Sequence, residues 1–298
     1  MTPSDLIHRL TLVARGLGFV FLVYFIPVVA RDLLGAALPG GGFLGLLQGH
    51  PDGPVVPMLV SCATFALSVV AVLLYGRTWG GAVQPRPLVR FDLPWFRDWR
   101  RGVVIGVGAT TLVLAPLFVA GVWRIDAVST AWRAEPLWML AVVATLVLEA
   151  AREELGFRGP AQRELTAAAG FPVAAIVLAG SFAIIHGGNP QIGRTGLLGV
   201  FLAGLALAGL ARARGDLGMP CGVHAGWNVG SAIVWSVPVS GFRLPPALFD
   251  VSAAGSDLWT GGSFGVEGSL PGIAAFLILA FVTWSLPPRG AKVAPDVE

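Results

Sequence analysis

Pro136-Leu-Trp-Met-Leu-Ala-Val-Val-Ala-Thr-Leu-Val-Leu-Glu149-Ala-Ala-Arg-Glu153-Glu154-Leu-Gly-Phe-Arg158 is an apolar run long enough to cross a bilayer that closes on two adjacent carboxylates. Its first half reads as a plain transmembrane helix. Its second half does not, because acids at the edge of hydrocarbon, or within it, are expensive to keep unless they act. The segment therefore predicts both a membrane fold and a place to look for chemistry.

The rest of the chain agrees with the first reading. Of 298 residues, 55% are hydrophobic and only 12% are charged; the mean hydropathy is +0.76. These values lie far outside those of a soluble globular domain. Apolar stretches near 10–30, 56–75, 103–123, 136–158, 172–187, 196–212, 220–238 and 270–286 predict an all-α polytopic protein of about eight transmembrane helices. We read 1–298 as a single integral membrane domain with a catalytic core at about 136–238.

Basic residues retained in short loops mark the cytoplasmic side. With the N-terminus inside, the outer segments hold only Arg31, Arg124, Arg133, Arg194 and Arg243 of the 20 basic residues. Both ends are thus expected in the cytoplasm, in a plasma membrane of bacterial type. The first span follows Arg9 and Arg15 and precedes no small-residue cleavage pattern, so it reads as a retained span. The formal net charge of +3 comes from this topological arginine and gives no support to nucleic-acid binding.

Less charged features take plainer readings. Cys62 and Cys221 have no metal spacing and read as buried structural thiols. Leu93-Pro-Trp-Phe-Arg-Asp-Trp-Arg-Arg101, in an inner loop from Arg77, alternates aromatics with arginine as an interfacial segment does. The outer loop from about Val239 to Leu270 is rich in Gly, Ser and Pro, holds Asp250, Asp257 and Glu267, and reads as a solvated connector. Forty glycines spread over the spans predict close helix packing.

Three polar groups interrupt the second half of the chain at helical spacing. Glu154 and Arg158 are four apart with the acid first, the favourable order for an intrahelical ion pair. Glu153 points about 100° away from that pair and has no local partner. A carboxylate so placed in a low-dielectric site is suited to general acid–base work. Phe182-Ala-Ile-Ile-His186 ends the fifth span with the ring packed beside the imidazole. If 149–187 forms a helical hairpin turning at Ala169-Gly-Phe-Pro172, Glu153 and His186 face each other at similar height. His224-Ala-Gly-Trp-Asn228 follows Pro220, a first-turn residue, and puts a histidine and an amide on one face. Two donors aimed at one point suit a developing oxyanion. The expected site thus lies among the fourth, fifth and seventh spans.

Glu153, His186 and His224 would also serve as zinc ligands with an open fourth position. His224-x-x-x-Asn228 is not, however, the His-Glu-x-x-His helix of zinc proteases. A site that requires no cofactor is the preferred reading, with zinc as its alternative.

Glu153-Glu154-x-x-x-Arg158, Phe182-x-x-x-His186 and His224-x-x-x-Asn228, in this order and each in an apolar span, resemble the three motifs of the CAAX-protease and bacteriocin-processing (Abi) family of intramembrane endopeptidases. The resemblance covers roughly 149–230, with the eight-span architecture agreeing around it. It implies that Glu153, assisted by His186, activates water for attack on a peptide carbonyl while His224 and Asn228 steady the oxyanion. Glu154, Arg158 and Phe182 then support them. It implies a membrane-associated protein or peptide as substrate; a prenylated one does not follow from the residues. A proton-coupled carrier or a non-catalytic immunity protein are the competing classes. The first should show an internal repeat and charges in many spans, and the second should have lost a motif residue.

Overall fold

The computed structural model describes residues 2–25, 29, 55–79, 92–130, 133, 135–244 and 248–288. Ten α-helices and one small sheet make up the described chain: α1 (Pro3–Val20), α2 (Val55–Trp79), α3 (Leu93–Val119), β1 (Trp123–Val128), α4 (Pro136–Arg158), α5 (Pro160–Ala169), α6 (Phe171–His186), α7 (Arg194–Arg214), α8 (Gly218–Val229), β2 (Phe249–Ala253), α9 (Asp257–Thr260) and α10 (Leu270–Ser285). Their starts follow local chemistry. Thr2 and Asp5 form a capping box before α1, Asp92 caps α3 by accepting from the Trp95 N–H, and Ser269 caps α10.

Among the described residues, each apolar stretch expected to cross the membrane overlaps a helix. Three of these are long and apolar enough to cross by length and composition: Pro3–Val23, Leu93–Val119 and Arg194–Arg214. Shorter apolar helices cover Cys62–Tyr75, Phe171–His186 and Leu270–Ser285. Their outer faces are apolar as well, with Leu112, Val119, Ile184 and Phe281 all exposed. A helix bundle that turns such side chains outward needs hydrocarbon as its solvent, and the protein is an integral membrane protein.

Close packing is concentrated where α3 crosses α8. Gly102 and Gly106 of α3 meet Gly222 and Gly226 of α8, two small-xxx-small seams laid against each other. A Cβ on Gly102 would come within 2.9 Å of the Gly222 Cα, and one on Gly222 would collide with the Trp99 carbonyl. This seam sets where α8 lies, and α8 carries His224.

Several expectations need correction. The Trp-rich segment at 93–101 is not part of a loop but forms the first turns of α3. Trp95 and Asp98 are buried there, and Asp98 is ion-paired to Arg214. Its buried residues continue through Gly102, Gly106, Thr110, Leu114 and Leu117, a single helical stripe that the alternation of aromatics with arginine obscured. The hairpin from 149 to 187 has a helix inserted in it. Gly159, where a Cβ would strike the Leu155 carbonyl, and Pro160 break the chain, and α5 packs on α1, its Glu164 paired with Arg15 at 2.8 Å. The fold is not purely α-helical, since β1 and β2 pair antiparallel with an irregularity at Asp126. The connector at 239–270 is not simply solvated: Val239, Leu244, Phe264, Val266 and Glu267 are all buried. Cys221 is buried as expected, but Cys62 is exposed. His50 and Arg31 lie outside the described residues.

Candidate active site

The last turns of α4 present five charged side chains, Glu149, Arg152, Glu153, Glu154 and Arg158, whose directions follow from helical spacing. Arg152 reaches back to Glu149 at 2.6 Å. Glu154, with no exposed surface, pairs with Arg158 at 3.3 Å. Arg158 in turn donates to the Gly204 carbonyl of α7 at 3.2 Å and lies 4.5 Å from the centre of the Phe182 ring. The ion pair is therefore tied to three helices.

Glu154 has a second task that spacing alone did not reveal. The same oxygen that faces Arg158 accepts a hydrogen bond from His224 Nδ1 at 2.9 Å, across 70 residues of sequence. A carboxylate on one imidazole nitrogen fixes the ring and aims the other nitrogen. His224 Nε2 accordingly points at Glu153 Oε2, 3.7 Å away. His186 is fixed in the same manner by a different partner. Its Nδ1 donates to the Phe182 carbonyl at 2.8 Å, and its Nε2 faces Glu153 Oε1 at 4.0 Å. The Phe182 ring packs against the His186 ring at 4.3 Å between centroids. Glu153 thus stands before two oriented imidazoles at separations suited to a bridging water rather than to direct hydrogen bonds. Arg152 lies 4.0 Å from its Oε1.

Removing Arg158 would leave Glu154 buried without its counter-charge. An uncompensated buried carboxylate costs about 3–5 kcal/mol. Arg158→Ala should therefore lower the melting temperature of the purified protein sharply, whereas Arg158→Lys, which keeps the charge, should lower it less.

A cavity of about 580 Å3, counting its open mouth, adjoins the imidazoles. His186, His224, Asn228, Ser240 and Glu267 supply its polar wall; apolar side chains of α3, α6, α7, α8 and α10 supply the rest. Asn228, one turn after His224, is followed by a π-helical turn at Gly230–Val234, a distortion common beside functional sites. Glu153 does not line this cavity; it faces the Nε2 atoms of the two imidazoles.

Sequence reasoning missed Glu267 and Ser240. Glu267 precedes α10 on a short turn, 5% exposed, and accepts from the Ser240 N–H at 2.5 Å and the Ser240 hydroxyl at 3.0 Å. Burial pushes its carboxyl up to about 7, against the pull of those two donors. Phe264 and Val266, two apolar residues just ahead of it in a glycine-rich loop, were the available signal that this segment turns inward.

As a metal site the cluster fits poorly. Tetrahedral zinc with bonds of about 2.0–2.1 Å brings ligand atoms to roughly 3.4 Å of one another, closer than Glu153 stands to either imidazole. Among the described residues no group of three His, Cys, Asp or Glu side chains has metal-holding geometry.

Residues 135–230 match the family model described as Type II CAAX prenyl endopeptidase Rce1-like, a segment that contains Glu153, His186, His224 and Asn228. No curated protein and no solved structure gives a significant match to the chain.

Proposed function

We propose, because residues 135–230 match the model of Rce1-like type II CAAX prenyl endopeptidases, that the protein is an intramembrane endopeptidase that hydrolyses a membrane-associated protein or peptide with water activated by Glu153. The observation that carries the reading is the convergence of His186 Nε2 and His224 Nε2 on the two oxygens of Glu153.

The hydrogen bonds support an assignment of roles. His186 Nδ1 is occupied as a donor to a carbonyl, so its Nε2 is free to accept. His224 has a carboxylate at Nδ1, which favours this imidazole as the one that carries a second proton. A water in the gap then donates to Glu153 and His186, and both of its protons are placed. As Glu153 takes one of them, the oxygen attacks the peptide carbonyl. His224 Nε2–H and the Asn228 amide, one helical turn apart, are the donors that meet the charge on the carbonyl oxygen. No step passes through a metal.

In this reading the chain crosses the membrane eight times with both ends in the cytoplasm, supported by the arginine asymmetry of its loops. The apolar cavity beside the imidazoles suits a substrate segment drawn from lipid.

The test is cleavage of a quenched-fluorescent, farnesylated peptide by the purified protein in nanodiscs, followed by mass spectrometry of the products. Activity should survive exhaustive chelation with EDTA and 1,10-phenanthroline. Loss on chelation and recovery with zinc would sink the metal-free mechanism. No cleavage of prenylated or unmodified membrane peptides, together with Glu153-dependent solute flux, would sink the protease assignment.

A further inference from the structure

Glu267 lies outside the matched segment, yet it shares a cavity with three of the residues placed in the mechanism. Other buried acids of the described chain face an arginine: Glu154 faces Arg158, Glu164 faces Arg15, Asp98 faces Arg214 and Asp216 lies beside Arg163. Glu267 has no such partner among the described residues. Its polar neighbours are Ser240, the Trp227 indole and the His224 imidazole.

Its placement is also over-determined. Ser240 adopts φ 48 and the following Gly241 φ 88, backbone conformations that persist only where surrounding contacts enforce them. Those contacts come from the site: Asn189, three residues beyond His186, donates to the Ser240 carbonyl at 3.0 Å, and a Cβ on Gly241 would strike the Pro190 carbonyl. Chain from both sides of the cavity thus converges on the two donors that hold Glu267.

Peptide hydrolysis needs a proton delivered as well as one removed. Glu153 takes a proton at the Nε2 edges of the two imidazoles, whereas Glu267 lines the cavity shared by His186, His224 and Asn228, which Glu153 does not line. We propose that Glu267 is a further catalytic residue, the general acid that protonates the departing amine nitrogen; the proposal rests on the endopeptidase reading above. The Ser240 N–H donates to Oε2 and the Ser240 hydroxyl to Oε1, which holds the carboxyl in the cavity wall; with the proton on Oε1, the hydroxyl rotates to act as acceptor. In the first step a C–O bond forms and the water proton passes to Glu153. In the second, the C–N bond breaks, the Glu267 proton passes to nitrogen and the electron pair of that bond stays on nitrogen. Glu267 is left as a carboxylate and Glu153 as an acid, and exchange with solvent restores both. A carboxyl raised to about 7 holds its proton in a large fraction of molecules near neutrality. The other titratable groups lining the cavity are His186 and His224; no charged side chain of α3, α7 or α10 lines it.

Glu267→Gln retains an acceptor for the Ser240 N–H and removes the proton. Two probes decide the matter: the farnesylated peptide, whose amine must be protonated to leave, and a farnesylated cysteine 4-nitrophenyl ester, whose phenolate leaves without a proton. The variant should lose about 100-fold in kcat on the peptide, stay within about threefold of the parent on the ester, and lose the fall in peptide cleavage above neutral pH. The peptide-to-ester ratio is independent of the folded fraction. An equal loss on both probes, or an unchanged peptide rate, overturns the assignment. Where the parent cleaves only unmodified membrane peptides, the same comparison is made with an unmodified peptide and its 4-nitrophenyl ester; failure of the parent on prenylated and unmodified probes alike, together with Glu153-dependent solute flux, overturns the endopeptidase reading, and the assignment with it.

Discussion

Glu153→Gln protein, purified at the parental yield and with the parental melting temperature, is expected to lose at least about a thousandfold in cleavage of the farnesylated peptide, within the range that positioned acid–base groups supply. The amide keeps the size of the side chain but cannot take the water proton. Glu153 is partly exposed, and its contacts are with Arg152 and two imidazoles at 3.7–4.0 Å, so little of the fold depends on it. Glu154→Gln makes the contrast. It disturbs a fully buried ion pair and the orientation of His224, and so should lower stability and activity together. The measurement is kcat/KM beside a thermal melt for each variant. A Glu153→Gln enzyme that cleaves at the parental rate removes Glu153 from the chemistry.

Gly222→Val is expected to abolish accumulation of folded protein, and Gly222→Ala to leave a small, heat-labile fraction. The position lies against backbone, not side chain: a Cβ there collides with the Trp99 carbonyl, which cannot rotate away. Overpacking of a tight core costs about 1–3 kcal/mol and more where backbone must move. Separating α3 from α8 would also withdraw His224 from Glu154. Fluorescence-detected size-exclusion chromatography reads the outcome. Gly108, where a Cβ meets nothing within 4 Å, is the control, and Gly108→Ala should behave as the parent.

Both predictions show how much was legible beforehand. The helices were, because a run of apolar residues of bilayer length has few alternatives, and each expected stretch overlaps one among the described residues. The ion pair of Glu154 with Arg158 and the pairing of Phe182 with His186 were legible too, since a spacing of four puts side chains on one helix face. Less legible were 93–101, where buried and exposed aromatics alternate too closely to separate by eye, and 239–270, whose glycines and serines imitate a solvated loop. Glycine there serves backbone geometry instead. Gly265, at φ 109, packs against the Pro238 carbonyl immediately before Val266 and Glu267 turn inward.

Composition and helical period were sufficient to establish a membrane protein, its apolar helices and where polar side chains interrupt them, because these depend on neighbours within a turn or two. What they left open was which groups meet across the bundle. The bond from His224 to Glu154, the distance of Glu153 from two imidazoles, and the burial of Glu267 against Ser240 all depend on how closely helices approach and on where a loop folds back. Glycine seams and backbone collisions set those quantities, and the hydrogen bonds they position join Glu267 to Ser240 across 27 residues and His224 to Glu154 across 70.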